Sequence, residues 1–412
     1  MPKGPTIVYV SREIERTLGK APAADYRIVT NRTSYGESVK EQYPDFVTLI
    51  DLPDGMPAGK LLGTTDLLNH QATKDLIANI SPTPQILVFK NTSRVETAAL
   101  ANGWTLLNPK AALSEEVENK MTQVAWLGEL GKKYLPANEI KLCKDLKWNG
   151  QTRIVQWAHG HTGGGTMLIN SEGDLKAIQE KFPNRMARST EYILGPSFTV
   201  SAVVADGKVF VGNPSYQITG IPPFTDNPLT TIGNDWSVSF DLLSHAELGE
   251  AEAMAGEIGR KLNASGWKGL FGIDLIYDTT RGRIFLIEIN ARQPASVTLE
   301  SVFQQKNRDL GVAGLTIFEA HLKALKGEPA DQPLIPINDG AQIVQRVTLF
   351  TKRASAAVSM ALIAQGYTVV SYENTEPNAD LMRIQSDKGI MERHAKFNKR
   401  GKEIEETLSL NN

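Results

Sequence analysis

The sequence predicts an α/β protein that opens with a parallel, doubly wound sheet and continues with mixed strand and helix units. In its first third, short apolar runs at residues 7–10, 46–52 and 86–89 alternate with segments of helical spacing, among them residues 65–80 and 114–131. Strands separated by helices are typical of a parallel sheet. Later, residues 269–290 have the pattern of a β-hairpin, with turn residues at 278–282.

Length and charge limit the functional class. The chain has 412 residues and a formal net charge of −2, so we expect about two to four structural units. The near balance of charge predicts neither a broad nucleic-acid surface nor a membrane surface. No apolar run approaches the roughly 18 residues of a membrane span, and we expect a cytoplasmic enzyme. The single cysteine, Cys143, excludes an intramolecular disulfide and a cysteine-rich zinc site.

The C-terminal part is predicted to be a smaller αβ unit behind a linker. Residues 326–339 contain Pro329, Pro333 and Pro336 with few apolar neighbours, which favours a crossing loop. Strand-like and helix-like segments follow, and the charged tail at 396–412 is expected to fray.

The hairpin at 269–290 carries the strongest chemical signal. If it folds about Arg281, Asp274 lies opposite Glu288 and Ile276 lies opposite Leu286. Side chains alternate faces along a strand, so Asp274, Glu288 and Asn290 point to one side. Two carboxylates and an amide in an apolar strand are costly unless a cation offsets them.

These three oxygen donors suit Mg²⁺, which keeps several waters and takes its remaining ligands from phosphates. The alternative is an ordinary exposed hairpin face. Arg292 follows on the same face. One interpretation is that Arg292 neutralises charge on a reacting phosphate or carboxylate. The other is that it forms a salt bridge with Glu288.

A glycine-rich loop lies between two strand-like segments, at residues 159–166. Its backbone N–H groups could fold over phosphates. It is not a Walker loop, because no Gly-Lys-Ser/Thr follows. The same pattern is also typical of a mobile turn, and His159 and His161 lack a third metal-binding partner.

The order of these features resembles the ATP-grasp superfamily over roughly residues 85–300. The motifs are a helix ending in Asn119-Lys120, the glycine-rich hairpin, the segment 190–195 that is similar to an adenine hinge, and the strand end at 287–292. The resemblance implies a pre-ATP-grasp α/β domain at 1–115 and an ATP-grasp domain at 116–325. It further implies a lid at about 145–195 and a small C-terminal αβ domain at 335–400.

The resemblance also implies ligands and their residues. ATP would contact Lys120, Gln156, Thr162, Gly163, Gly164, Gly165, Thr166, Glu191, Tyr192 and Ile193. Mg²⁺, or Mn²⁺ in its place, would bind Asp274, Glu288 and Asn290, and Arg292 would act in catalysis.

The chain departs from the family pattern at three positions. Many members have a lysine where Gln156 stands, and acidic residues where Thr190 and Ser197 stand. These changes leave ribose recognition without an assigned residue, for which Gln217 is a candidate.

The implied activity is that of a ligase. It would activate a small carboxylate as an acyl phosphate and couple it to an amine or a similar nucleophile. One alternative is a bicarbonate-activating enzyme of the biotin-carboxylase kind, which would need a separate biotin carrier. Another is a non-catalytic, ATP-binding regulatory protein. A homodimer is compatible with the resemblance.

Overall fold

The computed structural model describes residues 5–53, 55, 59–80, 82–158, 165–351, 355–372 and 374–409, and it begins with a parallel sheet. The strands of this sheet run in the order β3-β2-β1-β4-β5, and every pair is parallel. Its elements are β1 (Ile7–Val10), β2 (Tyr26–Asn31), α1 (Ser34–Gln42), β3 (Val47–Ile50), α2 (Thr64–Asn69), α3 (Gln71–Ala78), β4 (Gln85–Val88), α4 (Ser93–Ala101) and β5 (Thr105–Leu106).

Both faces of this sheet are covered, as the apolar composition of its strands predicts. Val8 and Val10 face the core beneath α2, α3 and α4. Ile7 and Tyr9 point the other way and pack with residues of a helix far along the chain, including Phe318. The predicted doubly wound α/β sheet is therefore confirmed.

Two long helices predicted from spacing are broken in the structure. The helix expected at 65–80 divides at His70, whose ring Nδ1 accepts the N–H of Ala72 at 3.3 Å and starts α3. The helix expected at 114–131 becomes three helices, and Gly128 between the last two has φ +59°. They are α5 (Ala111–Glu118), α6 (Thr122–Leu127) and α7 (Glu129–Tyr134). Apolar spacing continues across such breaks, so it did not reveal them.

A four-stranded antiparallel sheet occupies the region expected to be the lid, and this sheet with its helix is called the lid. Its order is β6-β9-β7-β8, and one helix packs on it. The elements are β6 (Asn138–Leu142), β7 (Arg153–Gln156), β8 (Thr166–Ile169), α8 (Glu172–Lys181) and β9 (Met186–Glu191).

The rest of the chain is organised by a nine-stranded sheet. Its order is β15-β14-β10-β12-β13-β16-β18-β17, with β11 paired to β10. Its first elements are β10 (Ser197–Ala205), β11 (Lys208–Val211), β12 (Ser215–Thr219), β13 (Thr231–Asp235), α9 (Ser239–Leu242), α10 (His245–Ala264), β14 (Gly269–Asp278), β15 (Arg283–Asn290), α11 (Val297–Asp309) and α12 (Ile317–Lys326).

Three of the C-terminal strands join this same sheet, and the last two pair in a separate two-stranded sheet. The C-terminal elements are β16 (Ala341–Arg346), α13 (Ala356–Ala364), β17 (Thr368–Ser371), β18 (Asp380–Ser386), β19 (Met391–Arg393), β20 (Lys396–Phe397) and α14 (Lys399–Ser409). Strand β16 pairs with β13, so the unit predicted at 335–400 shares a sheet with the preceding one. The predicted fraying of the tail is wrong up to residue 409, because Ile404 and Leu408 of α14 are buried. In the described part of the chain, no helix is long and apolar enough to cross a bilayer.

The join between β13 and β16 makes a first prediction. A Cβ added at Gly233 would lie 2.2 Å from the Gln342 carbonyl oxygen of the neighbouring strand. Gly233→Ala should therefore lower the free energy of unfolding by about 2 kcal/mol or more, measured by urea denaturation. Gly249 of α10 is the control, because nothing lies within 4 Å of its added Cβ. Gly249→Ala should stabilise by roughly 0.5–1 kcal/mol, and equal effects of the two substitutions would contradict the packing argument.

Candidate active site

A cavity of about 850 Å³ lies where the three sheets meet. Each unit contributes polar side chains to its wall. The N-terminal unit contributes Arg12 and Lys90, and the lid contributes Gln156 and Arg188. The central sheet contributes Asp274 and Glu288, and the C-terminal strands contribute Arg346 and Arg383. Most residues predicted to bind ATP or metal are brought to this one cavity.

The hairpin has the predicted pairing at its functional end. Asp274 lies opposite Glu288, and Asn290 donates from Nδ2 to Asp274 Oδ2 at 3.0 Å. A β-bulge after Asp274 then shifts the register, so Ile276 faces Phe285 and the predicted pairing with Leu286 is wrong. An even alternation pattern cannot reveal a single extra residue in one strand.

Asp274 is surrounded by donors. Thr199 Oγ1 and Gln217 Nε2 each donate to its Oδ1 at 2.8 Å. Burial, and then the neighbouring Glu288 carboxylate, raise the pKa of Asp274 to about 7. The surrounding protein therefore stabilises the ionised form of Asp274 poorly.

Glu288 has its own cation. Lys120 Nζ donates to Glu288 Oε2 at 2.6 Å, and the lysine side chain is 7% exposed. Burial opposes the ionisation of Glu288, but the charge and hydrogen bond of Lys120, together with the charge of Arg292, outweigh burial and hold the pKa of Glu288 below its usual value. Lys120 is also tied to the lid, because its backbone N–H donates to Ala158 O at 3.4 Å.

Arg292 pairs with a residue that sequence reasoning missed. Its guanidinium contacts Glu118, at the end of α5, and not Glu288. Lys90 contacts the other carboxylate oxygen of Glu118. Glu118 therefore holds two cavity-lining cations, Lys90 and Arg292, from two different units. Nothing in the spacing of Glu118 distinguishes it from the other acids of that helix.

The predicted hinge connects the lid to the central sheet. Glu191 ends β9, and both of its carboxylate oxygens accept from Arg281, at 3.0 and 2.6 Å. This bonding lowers the pKa of Glu191. Tyr192 and Ile193 line the cavity. Gly195 is required here, because a Cβ would lie 1.9 Å from the Tyr277 carbonyl oxygen.

The glycine-rich loop is described only in part. Gln156 and Thr166 pair across β7 and β8 and line the cavity. The Gly165 carbonyl accepts the N–H of Trp157 at 3.0 Å. The predicted ATP contacts Thr162, Gly163 and Gly164, with His159 and His161, lie outside the described residues.

Three wall residues were linked to nucleotide recognition in the sequence. Thr190 and Ser197 line the cavity beside the hinge. Gln217, the candidate for ribose, lines the same cavity and donates its amide to Asp274. Among the described residues, no group of three or more His, Cys, Asp or Glu side chains is arranged to hold a metal. A metal here would depend on the acid pair, Asn290 and outside ligands.

Comparison with solved structures identifies the fold. N5-carboxyaminoimidazole synthase from Aspergillus clavatus, in complex with ADP and 5-aminoimidazole ribonucleotide, is 14% identical with a TM-score of 0.65, and the match covers 98% of both chains. N5-carboxyaminoimidazole synthetase from Staphylococcus aureus is 12% identical with a TM-score of 0.62, again over 98% of both chains.

L-amino acid ligase from Bacillus licheniformis is 13% identical with a TM-score of 0.61, over 99% of this chain and 98% of the other. No protein-family model and no curated protein sequence matches the chain. The predicted ATP-grasp fold is confirmed over nearly the whole chain.

An acid behind the cavity wall makes a second prediction. Glu300 of α11 is 1% exposed, and burial raises its pKa to about 8. The folded protein therefore keeps a proton that the unfolded chain loses above pH 4.5, and stability falls as pH rises from there to 8. Glu300→Gln should remove this pH dependence of stability. The variant should have a higher free energy of unfolding than the wild type at pH 8 and the same free energy of unfolding near pH 4. Urea denaturation of both proteins between pH 4 and pH 8 tests the prediction. The same pH dependence of stability in the two proteins would contradict it.

Proposed function

We propose that this protein is an ATP-dependent ligase that activates a carboxylate as an acyl phosphate and couples it to an amine or a similar nucleophile. The observation that carries the proposal is the convergence of Asp274, Glu288 and Asn290 in one cavity of a chain with the ATP-grasp fold. All three belong to the motif that predicted this chemistry from the sequence.

ATP is proposed to lie between the lid and the central sheet. Adenine would meet the backbone of Glu191, Tyr192 and Ile193 at the hinge, and the phosphates would lie under the lid. Their contacts would come from Lys120, Gln156, Gly165 and Thr166, together with Thr162, Gly163 and Gly164 of the loop. The cavity supports this arrangement, since hinge and lid residues line one continuous space of about 850 Å³.

The donor set fits a hard divalent cation. Two carboxylates and an amide oxygen are ligands that Mg²⁺ prefers, and Mn²⁺ accepts the same set. The raised pKa of Asp274 supports the fit, because burial and then the Glu288 charge disfavour its ionised form, which a bound cation would favour. When bound, the cation would neutralise charge on the phosphates. Asn290 would turn its amide from Asp274 to present oxygen.

The protein's own cations have distinct places in the reaction. Lys120 would approach the phosphates from beside Glu288, while Arg292 would stabilise the charge of the reacting carboxylate or acyl phosphate. Glu118 orients Arg292 through their ion pair. The lid would exclude water from an intermediate that water hydrolyses.

The names of the solved neighbours favour two classes of acid substrate. One solved neighbour is named an L-amino acid ligase, which favours amino acids. Several others are named carboxyaminoimidazole synthases, and one of these contains an aminoimidazole ribonucleotide. That favours bicarbonate as the acid and an amine as the acceptor. We propose a cytoplasmic enzyme acting on such small molecules, and a homodimer stays a prediction.

The decisive experiment is ADP and phosphate release from Mg·ATP across amino acids, hydroxy acids and bicarbonate, each with and without an amine. Release that depends on one acid would identify the acyl substrate. An ATPase rate that no acid changes would contradict ligase activity, and ATP binding without release would favour a regulatory protein.

Glu288→Gln is the third prediction. It should lower kcat by roughly a hundredfold or more with circular dichroism unchanged, because it removes one negative ligand of the proposed cation. Glu257→Gln is the matched control: Glu257 also pairs with a lysine, Lys133 at 2.8 Å, but outside the cavity. Equal activity of the two variants would contradict the metal assignment.

A further inference from the structure

Arg188 is an unusual residue for the interior of a lid strand. It lies on β9, its side chain is among the largest that are fully buried, and the residue is 1% exposed. Within the described residues, neither its Nε nor its Nη1 has a hydrogen-bond partner. The side chain nevertheless borders the cavity.

A buried guanidinium without partners costs folding free energy, because water no longer solvates its charge. Burial lowers the pKa of Arg188 to about 10, and the charge of Glu288 opposes the shift. The group is still a cation at neutral pH. Glu288 is near enough to attract Arg188 electrostatically, but that carboxylate already accepts a hydrogen bond from Lys120. No ion pair joins Arg188 to an acid in the described part of the chain.

The strand register places Arg188 directly beside Gln156, a neutral residue of the cavity wall. Strands β7 and β9 are antiparallel, and Arg188 pairs with Gln156. Cross-strand neighbours present their side chains on the same face of a sheet, so a cation at either position faces the same region of the cavity.

We infer that Arg188 is the phosphate-binding cation of the lid. The inference rests on the proposed function, since its ligand is the polyphosphate of ATP. A guanidinium has several N–H donors in a fixed plane and can bind two phosphate oxygens at once, which an ammonium group does not do in that geometry. Because no described residue bonds to Nε or Nη1, the Arg188 guanidinium can turn towards a phosphate without breaking a hydrogen bond of these two nitrogens.

The first test is nucleotide affinity. Arg188→Gln should bind Mg·ATP roughly ten to a hundred times more weakly by calorimetry, as expected for a lost charged hydrogen bond. Adenosine should bind with unchanged affinity, because it has no phosphate. In the ligand-free protein the same substitution should raise Tm, since it removes a buried cation without partners. A residue with a purely structural role would lower Tm instead.

The second test moves the charge across the strand pair. Gln156→Lys in the Arg188→Gln background should recover about tenfold in Mg·ATP affinity, whereas a loss caused by misfolding would not be recovered. Arg185→Gln is the matched control. Arg185 precedes the same strand, is exposed, lies over the Trp157 ring and does not line the cavity. Its substitution should leave ATP affinity unchanged.

The outcomes separate this inference from the proposed function. Wild-type affinity in Arg188→Gln, with kcat still lowered in Glu288→Gln, would overturn the role of Arg188 and leave the ligase proposal intact. A wild-type protein that binds no Mg·ATP would overturn both. Equal losses for ATP and adenosine would also overturn the inference, because the defect would then not involve phosphate.

Discussion

The pairing of Asp274 with Glu288 across β14 and β15 is the interaction on which the rest of the site depends. It brings two carboxylates together at a cavity wall, where loss of water and then the repulsion between them raise the pKa of Asp274 to about 7. Several side chains then offset this cost. Thr199, Gln217 and Asn290 donate to Asp274, and Lys120 neutralises Glu288. A half-buried acid pair of this kind has a physical reason to exist if a cation completes it.

The cavity exists because the units are held together by buried polar contacts as well as by apolar packing. Tyr9 of the first strand donates its hydroxyl to Gln293 Oε1 at 2.8 Å. Tyr372, near the C-terminus, donates to Glu15 Oε1 at 2.7 Å. Hydrogen bonds between groups so distant in sequence set the positions of the walls. Glu118 acts in the same way, because it contacts Lys90 and Arg292 together.

Sequence reasoning was most successful where the signal was local. The parallel sheet, the hairpin at 269–290 and the opposition of Asp274 and Glu288 follow from alternation and turn residues, and the structure has all three. It failed at local irregularities, such as the bulge after Asp274 and the helix break at His70. Those features depend on one residue each, and a periodic pattern averages over such residues.

The α/β class, the motif ending in Arg292 and the acid pair follow from the order of the residues, because each lies within one strand, one hairpin or one alternating series of strands and helices. Which residues complete the site depends on how the chain folds in three dimensions. Lys120 reaches Glu288 across 168 positions of the chain, Glu118 reaches Arg292 across 174, and Arg188 faces Gln156 through strand register alone. A sequence lists residues in order along the chain, whereas Coulomb attraction and desolvation depend on distance in space, and the fold sets that distance.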